Sequence, residues 1–176
     1  MTTTSSSESE ALLSVRDLQA GFTTDDGVVQ AVDGVSFDVH RGEVFAIVGE
    51  SGSGKSVTAM TILGLIPTVE VSRGEIVWKG RDLLTVSDEE RRKVRGGQIA
   101  MIFQDPLTAL NPVHTVGRQI GEMARIHEGL SKKDAMVRAV EMLDLVGIPE
   151  AKKRASMYPH EFSGGMRQRA MIAMAI

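Results

Sequence analysis

The sequence predicts an α/β fold, and three observations carry that prediction. Residues 49–56 read Gly49-Glu50-Ser51-Gly52-Ser53-Gly54-Lys55-Ser56, a complete G-x-x-x-x-G-K-[ST] pattern. It lies between a short apolar run, Val44-Phe45-Ala46-Ile47-Val48, and a proline-free stretch from Lys55 to Leu65. Strand, glycine loop and helix thus follow in the order the pattern requires. Around it, extended patterns dominate before residue 104 and helical patterns after it.

Taken in order, Leu12 to Phe22 reads as a first strand, followed by a turn at Asp25-Asp26-Gly27. Val28 to Val39 reads as a second, with alternating apolar residues at Val35, Phe37 and Val39. Arg41-Gly42-Glu43 turns the chain into the apolar run, which reads as a buried strand. The helix behind the glycine loop should end near Gly64 and Pro67, and Gly74 to Lys79 forms another short strand. Ser87-Asp88-Glu89-Glu90 fits a capping box and starts a charged helix that ends near Gly96-Gly97.

Ile99 to Phe103 is a fully apolar strand ending in Gln104-Asp105-Pro106, and Pro106 and Pro112 make the next stretch a loop. Three helical segments follow, about Thr115 to His127, Ser131 to Val146 and Glu150 to Met157, with Gly147 and Pro149 stopping the second. Ser163-Gly164-Gly165 opens the last helix with Ser163 as N-cap. The chain has no internal repeat.

Composition narrows the chemistry. A net charge of −3 gives no general attraction to nucleic acid or anionic lipid. Arg91-Arg92-Lys93 and Lys152-Lys153-Arg154 read as solvated helix faces. With no cysteine there is no disulfide, iron–sulfur or thiol chemistry in this stretch. The histidines at 40, 114, 127 and 160 show no metal-ligand spacing. No apolar run approaches a membrane span, and residues 1–10 have the polar, low-complexity composition of a disordered tail rather than a secretion signal.

The glycine loop carries the most specific chemistry. Its glycines let successive N–H groups turn toward a phosphate, and the following helix adds unpaired donors and the positive end of its dipole. Lys55 would sit against β- and γ-phosphates, and the Ser56 hydroxyl would ligate Mg²⁺. A glycine turn with an incidental lysine would not need four fixed positions between strand and helix. A dinucleotide pattern fails on spacing, because its third glycine would fall at Val57. The implied ligand is a nucleoside triphosphate with magnesium.

The second anion-binding candidate is Phe162-Ser163-Gly164-Gly165-Met166-Arg167-Gln168-Arg169, where small residues at a helix start expose backbone donors. Alone, a serine-capped helix after a glycine turn is more often purely structural. Together with the loop at 49–56 and Gln104, however, the segment resembles the nucleotide-binding subunits of ABC transporters. Their phosphate loop matches residues 49–56, their glutamine loop Gln104, and their signature motif Ser163-Gly164-Gly165. Phe162 and Met166 depart from the common leucine and glutamine. They look like the oligopeptide, dipeptide and nickel importer branch, as do Phe103 to Pro112 and Tyr158-Pro159-His160-Glu161.

The resemblance covers residues 11–176 and implies a P-loop NTPase core with an antiparallel β-subdomain and a helical subdomain at about 105–162. It implies a second ATPase subunit, identical or different, packed head to tail. Ser163 and Gly165 would then touch the γ-phosphate bound by the partner. Gln104 would contact Mg²⁺ or the attacking water and report to transmembrane permease subunits, with a solute-binding protein as an indirect partner. Phe22 is the aromatic placed to stack on adenine, although an ordinary buried phenylalanine fits that position nearly as well. The implied location is the cytoplasmic face of the cell membrane.

In this family a magnesium-directing aspartate, a water-polarising glutamate and a histidine follow the signature helix. Residues 171–176 are still an apolar helix face, so the sequence reads as the front of a longer subunit, with apolar core surface left exposed. Hydrolysis is expected of the full-length subunit rather than of residues 1–176 alone. Two other readings remain at this level: a non-hydrolysing nucleotide-binding or regulatory fragment, and a non-transport ABC ATPase acting on DNA or ribosomes. The acidic balance weighs against the last.

Overall fold

The computed structural model describes residues 11–25, 27–105 and 109–176. The 1–10 tail, Asp26 of the first turn, and Pro106 lie outside them. The chain divides into two compact units, Met1–Arg92 and Lys93–Ile176.

In the first unit β1 (Leu13–Thr24), β2 (Gly27–Val39), β3 (Val69–Trp78) and β4 (Arg81–Asp82) form one antiparallel sheet in the order β2-β1-β3-β4. β1 pairs with β2 from Leu13–Val39 to Thr24–Gly27, and with β3 from Leu13–Trp78 to Phe22–Val69. Its alternation slips first at Asp17: Val15 and Leu18 are both fully buried although three residues apart. A bulge at Asp17, with φ of 43°, supplies the extra residue. The Asp17 amide donates to Ser36 Oγ at 2.8 Å, and its carboxylate pairs with Arg73 at 2.8 Å. Opposite the bulge, a Cβ on Gly74 would lie 2.6 Å from the Arg16 carbonyl oxygen and 2.7 Å from that of Asp17. Only glycine lets the two strands pass.

Helix α1 (Lys55–Ile62) touches β2 and buries Thr58, Thr61 and Ile62. It stops three residues before the Leu65 expected from sequence. Gly64, at φ 61°, takes the left-handed step, while the Leu65 amide donates back to the Met60 carbonyl at 2.9 Å.

The strands expected at Val44–Val48 and Ile99–Phe103 are not formed among the described residues. Val44 is 97% and Val48 88% exposed, and Phe45 stacks on Phe37 with centroids 5.0 Å apart. Ile99 makes one isolated bridge, to Arg95, and Ile102 and Phe103 are exposed. An extended segment becomes a strand only when its backbone finds a ladder partner, and among the described residues neither segment has more than the single bridge of Ile99.

Helix α2 (Asp88–Val94) starts at the expected capping box: the Glu90 amide donates to Ser87 Oγ at 3.3 Å, and the Ser87 amide to Glu90 Oε2 at 3.2 Å. The second unit then contains α3 (Val116–His127), α4 (Lys132–Leu145), α5 (Ala151–Arg154) and α6 (Gly164–Ala175). Its core joins Val116, Ile120, Ala139, Leu143, Ile148 and Phe162 with Ala170 and Ala173 of α6. Gly147, at φ 72°, ends α4, with the Ile148 amide donating to the Leu143 carbonyl at 2.9 Å. The third predicted helix shrinks from Glu150–Met157 to the single turn of α5. Gln119 of α3 is buried, and its side-chain amide accepts from the Asn111 amide at 2.8 Å. It donates to the Asn111 and His114 carbonyls at 2.9 Å each.

Candidate nucleotide site

In the first unit, residues 49–54 curl into a loop held by its own backbone. The Ser53 amide donates to the Glu50 carbonyl at 3.2 Å, and Gly52 and Gly54 take φ values of 82° and 85°. Gly54 is the N-cap of α1 in left-handed conformation, and a Cβ there would run into the Ala31 carbonyl of β2. A Cβ on Gly49 would stand 2.7 Å from Ser53 Oγ. The loop is therefore pressed against β2 at Gly54, where backbone and left-handed φ both require glycine, while at Gly49 an added Cβ would ask only the Ser53 hydroxyl to turn aside.

Behind the loop, buried Thr58 donates from its amide (2.8 Å) and hydroxyl (3.0 Å) to the Gly54 carbonyl. The first turn of α1 has no side-chain cap and no acidic residue, so its backbone donors are left for an outside anion. Lys55 folds over the loop: its Nζ donates to the Gly49 carbonyl at 2.9 Å, to that of Glu50 at 2.6 Å and to Ser53 Oγ at 3.3 Å. The ammonium thus stands at the loop mouth on flexible, replaceable bonds. Glu50, Ser51 and Ser56 are exposed, and Val57 is half-buried on α1.

Phe22 lies on β1 opposite Val29 of β2, two residues along that strand from Ala31, the residue that meets Gly54. Its ring is half-buried, and the neighbouring Val28 and Val29 are 68% and 55% exposed. The sheet therefore holds Phe22 and the loop on one structural element of the same unit.

In the second unit Gln104 and Asp105 are exposed. Ser163 caps α6 as expected, accepting from the Met166 amide at 3.4 Å. Gly164 and Gly165 lie in the first turn, and a Cβ on either would meet nothing within 4 Å. These glycines are not needed for packing inside this unit; what they leave is bare backbone facing open space. Phe162 just before them is only 2% exposed and anchors the loop in the helical core. The sequence reading does not single out Arg167, whose Nε donates to the Phe162 carbonyl at 2.9 Å. Its signal was available: a cation in the first turn sits at the unfavourable end of the helix dipole and asks for a separate reason. Among the described residues no cluster of three or more metal-ligating side chains occurs, and no helix is long and apolar enough to cross a membrane.

A family model described as ABC transporter matches residues 32–176. The dipeptide transport ATP-binding protein DppD of Bacillus subtilis (strain 168) is 56% identical over 169 residues, which is 95% of this chain and 50% of that protein. The oligopeptide transport ATP-binding protein OppD of Escherichia coli (strain K12) is 50% identical over 169 residues, 96% of this chain and 50% of that protein. The chain thus spans about half the length of these relatives. Among solved structures, the dimeric post-hydrolysis state of the ATP-binding cassette MJ0796 bound to ADP and Pi matches with a TM-score of 0.81 at 25% identity. That match covers 93% of this chain and 68% of the other. A glycine loop built as its pattern requires, a cassette fold and a family match over most of the chain lead to one conclusion: this chain belongs to the ABC transporter family.

Proposed function

We propose that this chain is part of an ATP-binding subunit that powers an importer of peptides or similar small solutes, and that the whole subunit hydrolyses ATP. The observation that carries the reading is the loop at 49–56, with uncapped helix donors, the Lys55 ammonium folded over its carbonyls and a Gly54 that tolerates no side chain. The solute class rests on the names of the relatives, which are dipeptide and oligopeptide transport proteins.

These residues fit magnesium-bound ATP. Lys55 exchanges its bonds to the loop carbonyls for β- and γ-phosphate oxygens, and the amides of residues 50–57 hold the phosphate chain. The Ser56 hydroxyl is the group of this unit that would hold Mg²⁺, which when bound offsets phosphate charge and fixes its geometry. Phe22 offers a ring face to adenine. Ser163, Gly164 and Gly165 serve the nucleotide of a second ATPase subunit, where the serine hydroxyl and bare amides stabilise charge on the γ-phosphate. Gln104 and the chain after it couple this state to permease subunits at the cytoplasmic face of the membrane, fed by a solute-binding protein.

Calorimetric titration of Mg-ATP into the wild-type protein and Lys55→Ala tests the loop assignment. Losing a charge-assisted contact worth about 1.5–3 kcal/mol should weaken binding tenfold or more. Equal affinities, with both proteins folded, refute it.

A further inference from the structure

We infer that Arg167 is a positioning residue for the Ser163-Gly164-Gly165 loop, aiming its free amides from behind; this rests on the proposed role of that loop at a partner's γ-phosphate. Arg167 grips two consecutive carbonyls. Its backbone amide donates to Ser163 at 2.9 Å, and its side-chain Nε donates to Phe162 at 2.9 Å. The C=O and N–H of a trans peptide point in opposite directions. Drawing the Phe162 oxygen toward α6 therefore turns the Ser163 N–H away from it. The amides of Ser163, Gly164 and Gly165 find no acceptor among the described residues.

The upstream side of the same peptide is fixed independently. Phe162 is buried, its amide donates to the Pro159 carbonyl at 3.1 Å, and the Tyr158 amide donates to Glu161 Oε2 at 2.7 Å. The Phe162–Ser163 peptide is thus held upstream by packing and downstream by the Ser163 cap, while its own oxygen is held by the Arg167 guanidinium. Helix stability does not explain that cation, since the first turn of a helix disfavours positive charge. Without the bond the plane can rock. A displacement of about 1 Å in a charge-stabilising group costs up to about 10²-fold in rate.

The experiment uses the full-length subunit in its transporter complex and compares wild type with Ser163→Ala, Arg167→Ala, Arg167→Lys and the Ser163→Ala/Arg167→Ala double variant. Steady-state ATP turnover and thermal midpoints are measured for each. Arg167→Ala should lower kcat about tenfold, with KM for Mg-ATP within about twofold of wild type and an unchanged midpoint. The loss in the double variant should fall well short of the product of the two single losses, because both changes act on one anion-binding loop. Arg167→Lys, which keeps one donor and the charge, should regain most of the lost rate. Should Arg167→Ala not fold, Arg167→Met keeps the apolar stem without a donor and should show the same tenfold loss. Losses that multiply in the double variant, a rate loss that tracks a fall in midpoint, or no rescue by lysine overturns the inference. A silent Ser163→Ala refutes the role of the loop itself and the inference with it. A deep Ser163→Ala with a silent Arg167→Ala refutes the inference alone.

Discussion

Replacing Gly54 by alanine should unfold the first unit far more readily than the same change at Gly52, and the difference can be worked from the local geometry. Both residues hold left-handed backbone, φ 85° and 82°, so both variants lose about 1–2 kcal/mol from that conformation. At Gly52 the added methyl enters open space. At Gly54 it drives into the Ala31 carbonyl of β2, with the Val32 side chain also near, so loop or strand must shift. Overpacking of this kind adds about 1–3 kcal/mol, giving about 2–5 kcal/mol in all at Gly54. Trp78 is the sole tryptophan, lies in β3 of the same unit and is 8% exposed, so its fluorescence reports this transition in urea. Gly54→Ala and Gly52→Ala unfolding within about 0.5 kcal/mol of each other would show that the loop does not press on β2 as described.

The glycines of the second unit should behave in the opposite sense. Gly164→Ala and Gly165→Ala place a methyl in open space in a helical turn, so each should stabilise its unit by about 0.5–1 kcal/mol while slowing ATP turnover by the whole subunit. Destabilisation, or turnover at the wild-type rate, counts against bare backbone being their purpose. The Asp38 carboxyl is held below its ordinary range by the hydrogen bond from Arg16, at 2.7 Å. Stability from a depressed carboxylate is present above the unfolded value of about 3.9 and is lost as pH falls through the folded one. Asp38→Asn should therefore flatten the acid limb of the pH–stability curve below about pH 4, read by Trp78 fluorescence, and parallel limbs in the two proteins refute the pairing.

What could be read from sequence was local. The turn at 49–56 was legible because its eight positions encode backbone conformation directly, and the caps at Ser87 and Ser163 because a hydroxyl three residues from an amide needs no distant partner. Pairing was not legible. The apolar runs Val44–Val48 and Ile99–Phe103 state a preference for burial but not which strand meets them, and in the structure they stay outside the sheet. The bulge at Asp17 escaped for the same reason: it depends on Gly74 and Ser36, far along the chain, and it breaks the period of two on which the strand was recognised. Arg167 was visible only as part of a motif, since its partner carbonyl belongs to a turn.

The side chain of Gln119 has a mechanical consequence for residues 111–114. With its amide bonded on both edges to Asn111 and again to His114, Gln119 does for this segment what a neighbouring strand would do. Peeling residues 111–114 from α3 would strand a buried amide, at roughly 1–3 kcal/mol, so loop and helix travel as one stiff piece. A pull on Asn111 is then carried to the whole of α3 rather than absorbed at the helix start.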